Sequence, residues 1–177
     1  MASGYDGVFG AFPYAFRSSE SRLFKLYVVA SALAIGLIAL FVGIAVVVLI
    51  GQTAAVQGGS LTLSRAFYIV VGLLVVLPAI APVLIVARRR RREVASSPRH
   101  EAALAAAGFV FLLSLYLGLV ASMPETFVLD GETVTRPQPS GLLAPLIAGL
   151  YAIPPLFSWT VPLVGALLVG LAHRLFR

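Results

Sequence analysis

The 177-residue chain contains no cysteine and no asparagine. A disulfide framework, a thiolate metal site and an N-glycosylation sequon are therefore all excluded. Charge is almost as scarce. Only 11% of residues are Asp, Glu, Lys or Arg, against about a quarter in soluble domains. Hydrophobic residues make up 60%, more apolar surface than a chain of this length can bury in an interior of its own. That composition excludes disorder as well. Lipid is the solvent that fits.

The charges that exist divide the chain. None falls between Lys25 and Arg65, from Ala66 to Ala87, from Ala102 to Met123, or from Gly141 to Ala172. A helix needs about 20 apolar residues to cross a bilayer core, and the first three stretches reach that length. Backbone groups in lipid must be paired internally, so helix is the expected state of each. The reading is an all-α integral membrane protein, a bundle of four transmembrane helices. Its expected spans are about 24–50, 66–87, 100–123 and 156–173. Residues 1–22 form an aromatic arm ahead of a single membrane domain, 23–177.

Local signals mark the ends. Ser18 or Ser19 is expected to cap the first span with Glu20 in its first turn, and Gly51 to end it. Ser97-Pro98 starts the third, a capping hydroxyl followed by proline at the first helical position. Pro124 ends that helix. The fourth stretch carries Pro145, Pro154, Pro155 and Pro162. A helix cannot run undisturbed through Pro154-Pro155, where two backbone donors are missing. A short helix over 142–153 followed by a span is the preferred reading, and one long kinked helix is the alternative. Between the third and fourth stretches, Asp130-Gly131 predicts the turn of a small hairpin within Thr126–Thr135. Thr53-Ala54-Ala55 resembles a signal cleavage site only weakly, because the apolar stretch before it is about twice a normal signal length.

Net charge is +6, and 12 of the 13 basic residues are arginine, Lys25 being the exception. Their positions alternate. Arg17, Arg22, Lys25, Arg88 to Arg92, Arg99, Arg174 and Arg177 fall on one side of a four-span arrangement, and only Arg65 and Arg136 on the other. Basic residues favour the cytoplasm, so both termini and the Arg88–Arg99 connection are expected inside a cell membrane. The run Arg88, Arg89, Arg90, Arg91 and Arg92, continued by Arg99, is the candidate site for anionic lipid headgroups. As a bare topology determinant it would need no ligand. Nucleic acid is not an expected partner, since a charge run specifies no groove and no base contact.

Chemistry-bearing patterns are few. No Asp, Glu, Lys or Arg lies inside the four stretches, which argues against coupled transport by side-chain protonation. His100-Glu101 begins like a zincin helix, but Leu104 stands where the second histidine would be. No phosphate-binding, nucleophile-elbow or dinucleotide motif is present. No catalytic residue, metal site or cofactor is expected. Small residues form stripes instead: Ala32, Gly36, Ala39 and Gly43 in the first span, Ser114 and Gly118 in the third, Ala166 and Gly170 in the fourth. Such stripes let membrane helices approach closely, either within the bundle or in self-association.

The stretches GAFPYAFRSSESRLFKLYV (Gly10–Val28) and SRAFYIVVGLLVVLPAIAPVLIVARRRRR (Ser64–Arg92) resemble small membrane proteins of halophilic archaea, grouped in families of unknown function. The resemblance implies a four-helix plasma-membrane protein and no particular activity. Three functions follow for test. One is a non-enzymatic accessory or scaffold subunit acting through helix packing and the polybasic connection, with lipids, other membrane proteins or a second copy as partners. The second is a passive channel or permease element beside the Pro154-Pro155 break. The third is a membrane enzyme using His100, Glu101 or His173.

Overall fold

The computed structural model describes residues 6–53, 59–92, 94 and 97–176. Tyr5 of the aromatic arm, Ala54 and Ala55 of the cleavage-like motif and Arg177 lie outside these. The described elements, in order, are α1 (Gly7–Ser18), α2 (Arg22–Thr53), α3 (Gly59–Arg91), α4 (Pro98–Ala121), a hairpin β1 (Thr126–Leu129) and β2 (Glu132–Thr135), α5 (Ala144–Tyr151) and α6 (Thr160–Leu175). A single 3₁₀ turn, Pro155–Phe157, separates α5 from α6. Four segments are long and apolar enough to cross a membrane: Arg22–Thr53, Ile69–Arg91, Pro98–Ala121 and Pro155–Leu175. The architecture is that of a multi-pass helical membrane protein.

The start of α2 corrects one expectation. Helix α2 begins at Arg22, and the hydroxyl that accepts the Phe24 N–H belongs to Ser21, not Ser18 or Ser19. Glu20 precedes the first turn. Gly51 does not end this helix, which continues to Thr53, where the threonine hydroxyl bonds the Leu49 carbonyl. Helix α3 likewise starts earlier than the charge-free stretch. It passes through Pro78 and Pro82, which remove two backbone donors from the ladder. Beside that gap the Ala79 carbonyl accepts a 2.6 Å hydrogen bond from the Tyr27 hydroxyl. At the head of α4, Ser97 is the N-cap, accepting from His100 N–H with Pro98 at the first helical position.

Helix α4 lies at the centre, in contact with α2, α3, α5 and α6. Its buried face, Leu104, Ala105, Gly108, Phe111, Ser114 and Gly118, recurs at three- and four-residue intervals, one side of a helix. Most of the buried core sits at the end where α2 begins, α3 ends, α4 begins and α6 ends. There Phe24, Tyr27, Val28, Val83, Val86, Leu104 and Ala105 meet. The aromatic arm joins them as a helix: α1 packs Ala11 and Ala15, both fully buried, against α3 and α2. At the opposite end β1 and β2 pair antiparallel, Leu129 opposite Glu132. Asp130 and Gly131 both take positive φ, as a two-residue hairpin turn of this hand requires.

Candidate functional site

The basic end of the bundle gathers residues that are far apart in sequence. Glu101, in the first turn of α4, is fully buried. Its Oε1 accepts from Arg90 Nε at 3.1 Å and Nη2 at 2.8 Å, and its Oε2 accepts from the Ser19 hydroxyl at 2.6 Å. Ser19 in turn accepts from the Ser21 N–H. Both carboxylate oxygens are thus engaged, which a buried charge requires. The network ties the α1–α2 junction to α3 and α4.

One residue earlier, His100 is also buried, and its Nε2 stands 3.3 Å from Nδ1 of His173 in the last turn of α6. Among the described residues no hydrogen-bond partner reaches His100 Nδ1. A buried donor left unpaired costs more than a buried acceptor. The hydrogen on His100 therefore belongs on Nε2, donated to His173 Nδ1, and His173 carries its own on Nε2. Among the described residues no group of three or more His, Asp or Glu is placed to hold a metal ion.

His173 also faces outward, into an open cavity of about 390 Å³ whose other walls are Ile85, Arg88, Arg89, Arg92 and Val94. The arginine run is thereby divided. Arg88, Arg89 and Arg92 line the cavity, Arg90 turns in to Glu101, Arg91 is exposed, and Arg99 is exposed on the first turn of α4 without reaching the cavity.

The small-residue stripes divide as sharply. A Cβ on Gly165 would overlap the Ser114 side chain, one on Gly118 would meet Pro162 Cδ at 3.0 Å, and one on Gly108 would collide with the Cε2–Cζ edge of the Tyr27 ring. Ala166 is half-buried beside this seam, and Ser114 returns its hydroxyl to the Phe111 carbonyl at 2.6 Å. Gly36, Gly43 and Gly170, by contrast, have nothing within 4 Å of where a Cβ would stand. Ala39 and Gly43 line an apolar groove of about 450 Å³ between α2 and α3, with Val42, Gly72 and Val76 among its other walls. Ala32 lines a second groove, between α1 and α2. Pro154 and Pro155 form the junction between α5 and the 3₁₀ turn. On the hairpin side Arg136 stacks on Tyr151 at 4.0 Å and bonds the Met123 carbonyl.

Sequence reasoning named Arg90, Glu101, His100 and His173 but not their pairings. The Ser19–Glu101–Arg90 network and the Tyr27–Ala79 bond were missed. The available signal was Glu101 itself, a carboxylate at the mouth of an apolar helix and 11 residues after Arg90.

Spans, core and basic end together define a helical multi-pass membrane protein with one charged terminus built into its packing. It belongs to the family described as Domain of unknown function (DUF8056), whose model matches residues 1–177. No curated protein and no solved structure matches the chain.

Proposed function

We propose that this chain is a non-enzymatic accessory subunit of a membrane assembly, working by packing its α2 face against a transmembrane helix of a partner protein. The supporting observation is the state of α2. It is the longest and most apolar span, with mean hydropathy 3.2 over its best window, and none of that window is buried within the chain. Its small residues, Ala32, Gly36, Ala39 and Gly43, are all exposed. Close backbone approach is what drives helix association in lipid, where apolar burial supplies little. The occupant is therefore a helix rather than a soluble domain.

The same proposal places the basic end in the cytoplasm of an archaeal cell membrane, with both termini inside and the arginine connection against anionic headgroups. Cysteine at Thr133 then reacts with an impermeant thiol reagent applied from outside, and cysteine at Ser96 does not. The reverse labelling pattern would invert the orientation.

The accessory role is tested by a mild-detergent pull-down of the tagged chain from its own membranes, with native mass analysis of the eluate. A stoichiometric membrane-protein partner is the expected result. A clean homo-oligomer, or a monomer carrying only lipid, would contradict it.

A further inference from the structure

We infer that the cavity between the ends of α3 and α6 is a binding site for a phosphate group, held by Arg88, Arg92 and Arg89 with His173 as a fourth donor. This takes up the headgroup part of the reading above, and it does not depend on any protein partner.

Three observations converge on it. The first is charge. Three guanidinium groups line one cavity of about 390 Å³, and among the described residues no carboxylate lines it. The nearest acid described above, Glu101, is already committed to Arg90 and Ser19. The carbonyl end of α3 carries a partial negative charge that by itself repels an anion, but it amounts to only about half an elementary charge, less than the full positive charge of either Arg88 or Arg92. Guanidinium groups match phosphate oxygens in pairs, which favours a phosphate over a single-point anion such as chloride.

The second is the histidine. With its hydrogen on Nε2, His173 brings a donor to a cavity whose arginines are donors only. Its orientation is set from behind by His100, 73 residues earlier in sequence. A bare topology signal needs charge near the membrane surface but no such fixed ring.

The third is place and size. The cavity lies where the apolar run Ile69–Ala87 gives way to arginine and where α6 reaches its last turn. That is the level of lipid phosphates for a chain spanning a bilayer, and basic pockets between helices at this level are known to hold phosphorylated headgroups. A water occupies about 30 Å³ of liquid, so the space admits a phosphate together with the glycerol of a headgroup. Ile85 and Val94 supply apolar wall on the same cavity. A lipid phosphomonoester and free inorganic phosphate share the chemistry that this site recognises.

The test uses the full chain in detergent, titrated with dioleoyl phosphatidic acid and followed by native mass spectrometry. One saturable lipid adduct is expected. The double variant Arg88→Gln/Arg92→Gln should weaken it about tenfold or more, since two charge-assisted contacts are lost. His173→Gln should weaken it by a smaller factor, and Arg99→Gln, which removes the same unit of charge outside the cavity, should leave it within twofold. Competition by millimolar inorganic phosphate distinguishes the sources: displacement means that free phosphate occupies the site, and persistence of the adduct means that the lipid does. A second measurement needs no variant. Lipid should protect Arg88 and Arg92 of the unaltered chain from a dicarbonyl reagent while Arg99 stays reactive. No saturable adduct, equal loss from Arg99→Gln, or uniform labelling of all three arginines would each overturn the proposal. None of these outcomes bears on whether a protein partner is pulled down.

Discussion

The two sides of the bundle are built from similar residues and put to opposite use. Between α4 and α6, Gly118 and Gly165 sit where any side chain would collide, and Ser114 and Pro162 fill the space they leave. Between α2 and α3, a Cβ on Gly72 would touch Val42, but Gly43 lines a groove that nothing among the described residues fills, and Gly36 has equally open space where a Cβ would stand. Composition does not separate the two. What separates them is where the polar anchors fall. Tyr27 bonds the Ala79 carbonyl and meets Phe109 edge-on at 5.3 Å, and Glu101 gathers Ser19 and Arg90, so α2 is fixed near its basic end. Beyond Ser31 no residue of α2 is buried. A small residue becomes a packing device only where something else has already brought a second helix within reach.

Substitutions can break this contrast, and the largest effect is expected at the anchor. Glu101→Ala removes the buried partner of an Arg90 side chain that is itself only 23% exposed, and should cost about 3 kcal/mol in reversible unfolding by denaturing detergent. A loss below about 1 kcal/mol would mean that the network does not hold α1 and α2 to the rest. Next comes the α4–α6 seam. Gly165→Ala adds a methyl group where Ser114 already stands and should destabilise by about 2 kcal/mol, despite the better helix propensity of alanine. Tyr27→Phe keeps the ring and removes one hydrogen bond, for a loss of about 1 kcal/mol. The smallest change has the opposite sign. Gly36→Ala should stabilise the isolated chain by about 0.5 kcal/mol, because the added methyl group meets nothing and the helix gains. Equal effects of the two Gly→Ala changes would erase the distinction between the sides.

How much of this was legible in sequence depends on the range of the signal. The apolar stretches announced themselves because charge is absent from them. The break at Pro154-Pro155 followed from two missing donors in succession, and the hairpin from Asp130-Gly131. The helix α1 was not legible, because glycines and Pro13 in its sequence speak against helix, and its buried face consists of Ala11 and Ala15 alone. Pro78 and Pro82 passed unremarked inside an otherwise strong apolar run. The Ser21 cap was hidden among three neighbouring serines, Ser18, Ser19 and Ser21. At the basic end every member of the cluster was visible as a residue type. Their arrangement was not, because the pairs Ser19–Glu101 and His100–His173 span 82 and 73 residues. The arginine run read as a single block for the same reason, although one helical turn points Arg90 inward and leaves Arg88 and Arg92 on the cavity.

The central claim is that the open face of α2 is completed by another protein's helix. A photo-crosslinking residue placed at Gly43 and activated in native membranes tests it most directly. The account predicts one discrete product of higher mass that contains a second, different membrane polypeptide. Crosslinks to lipid alone from Gly43 would contradict it.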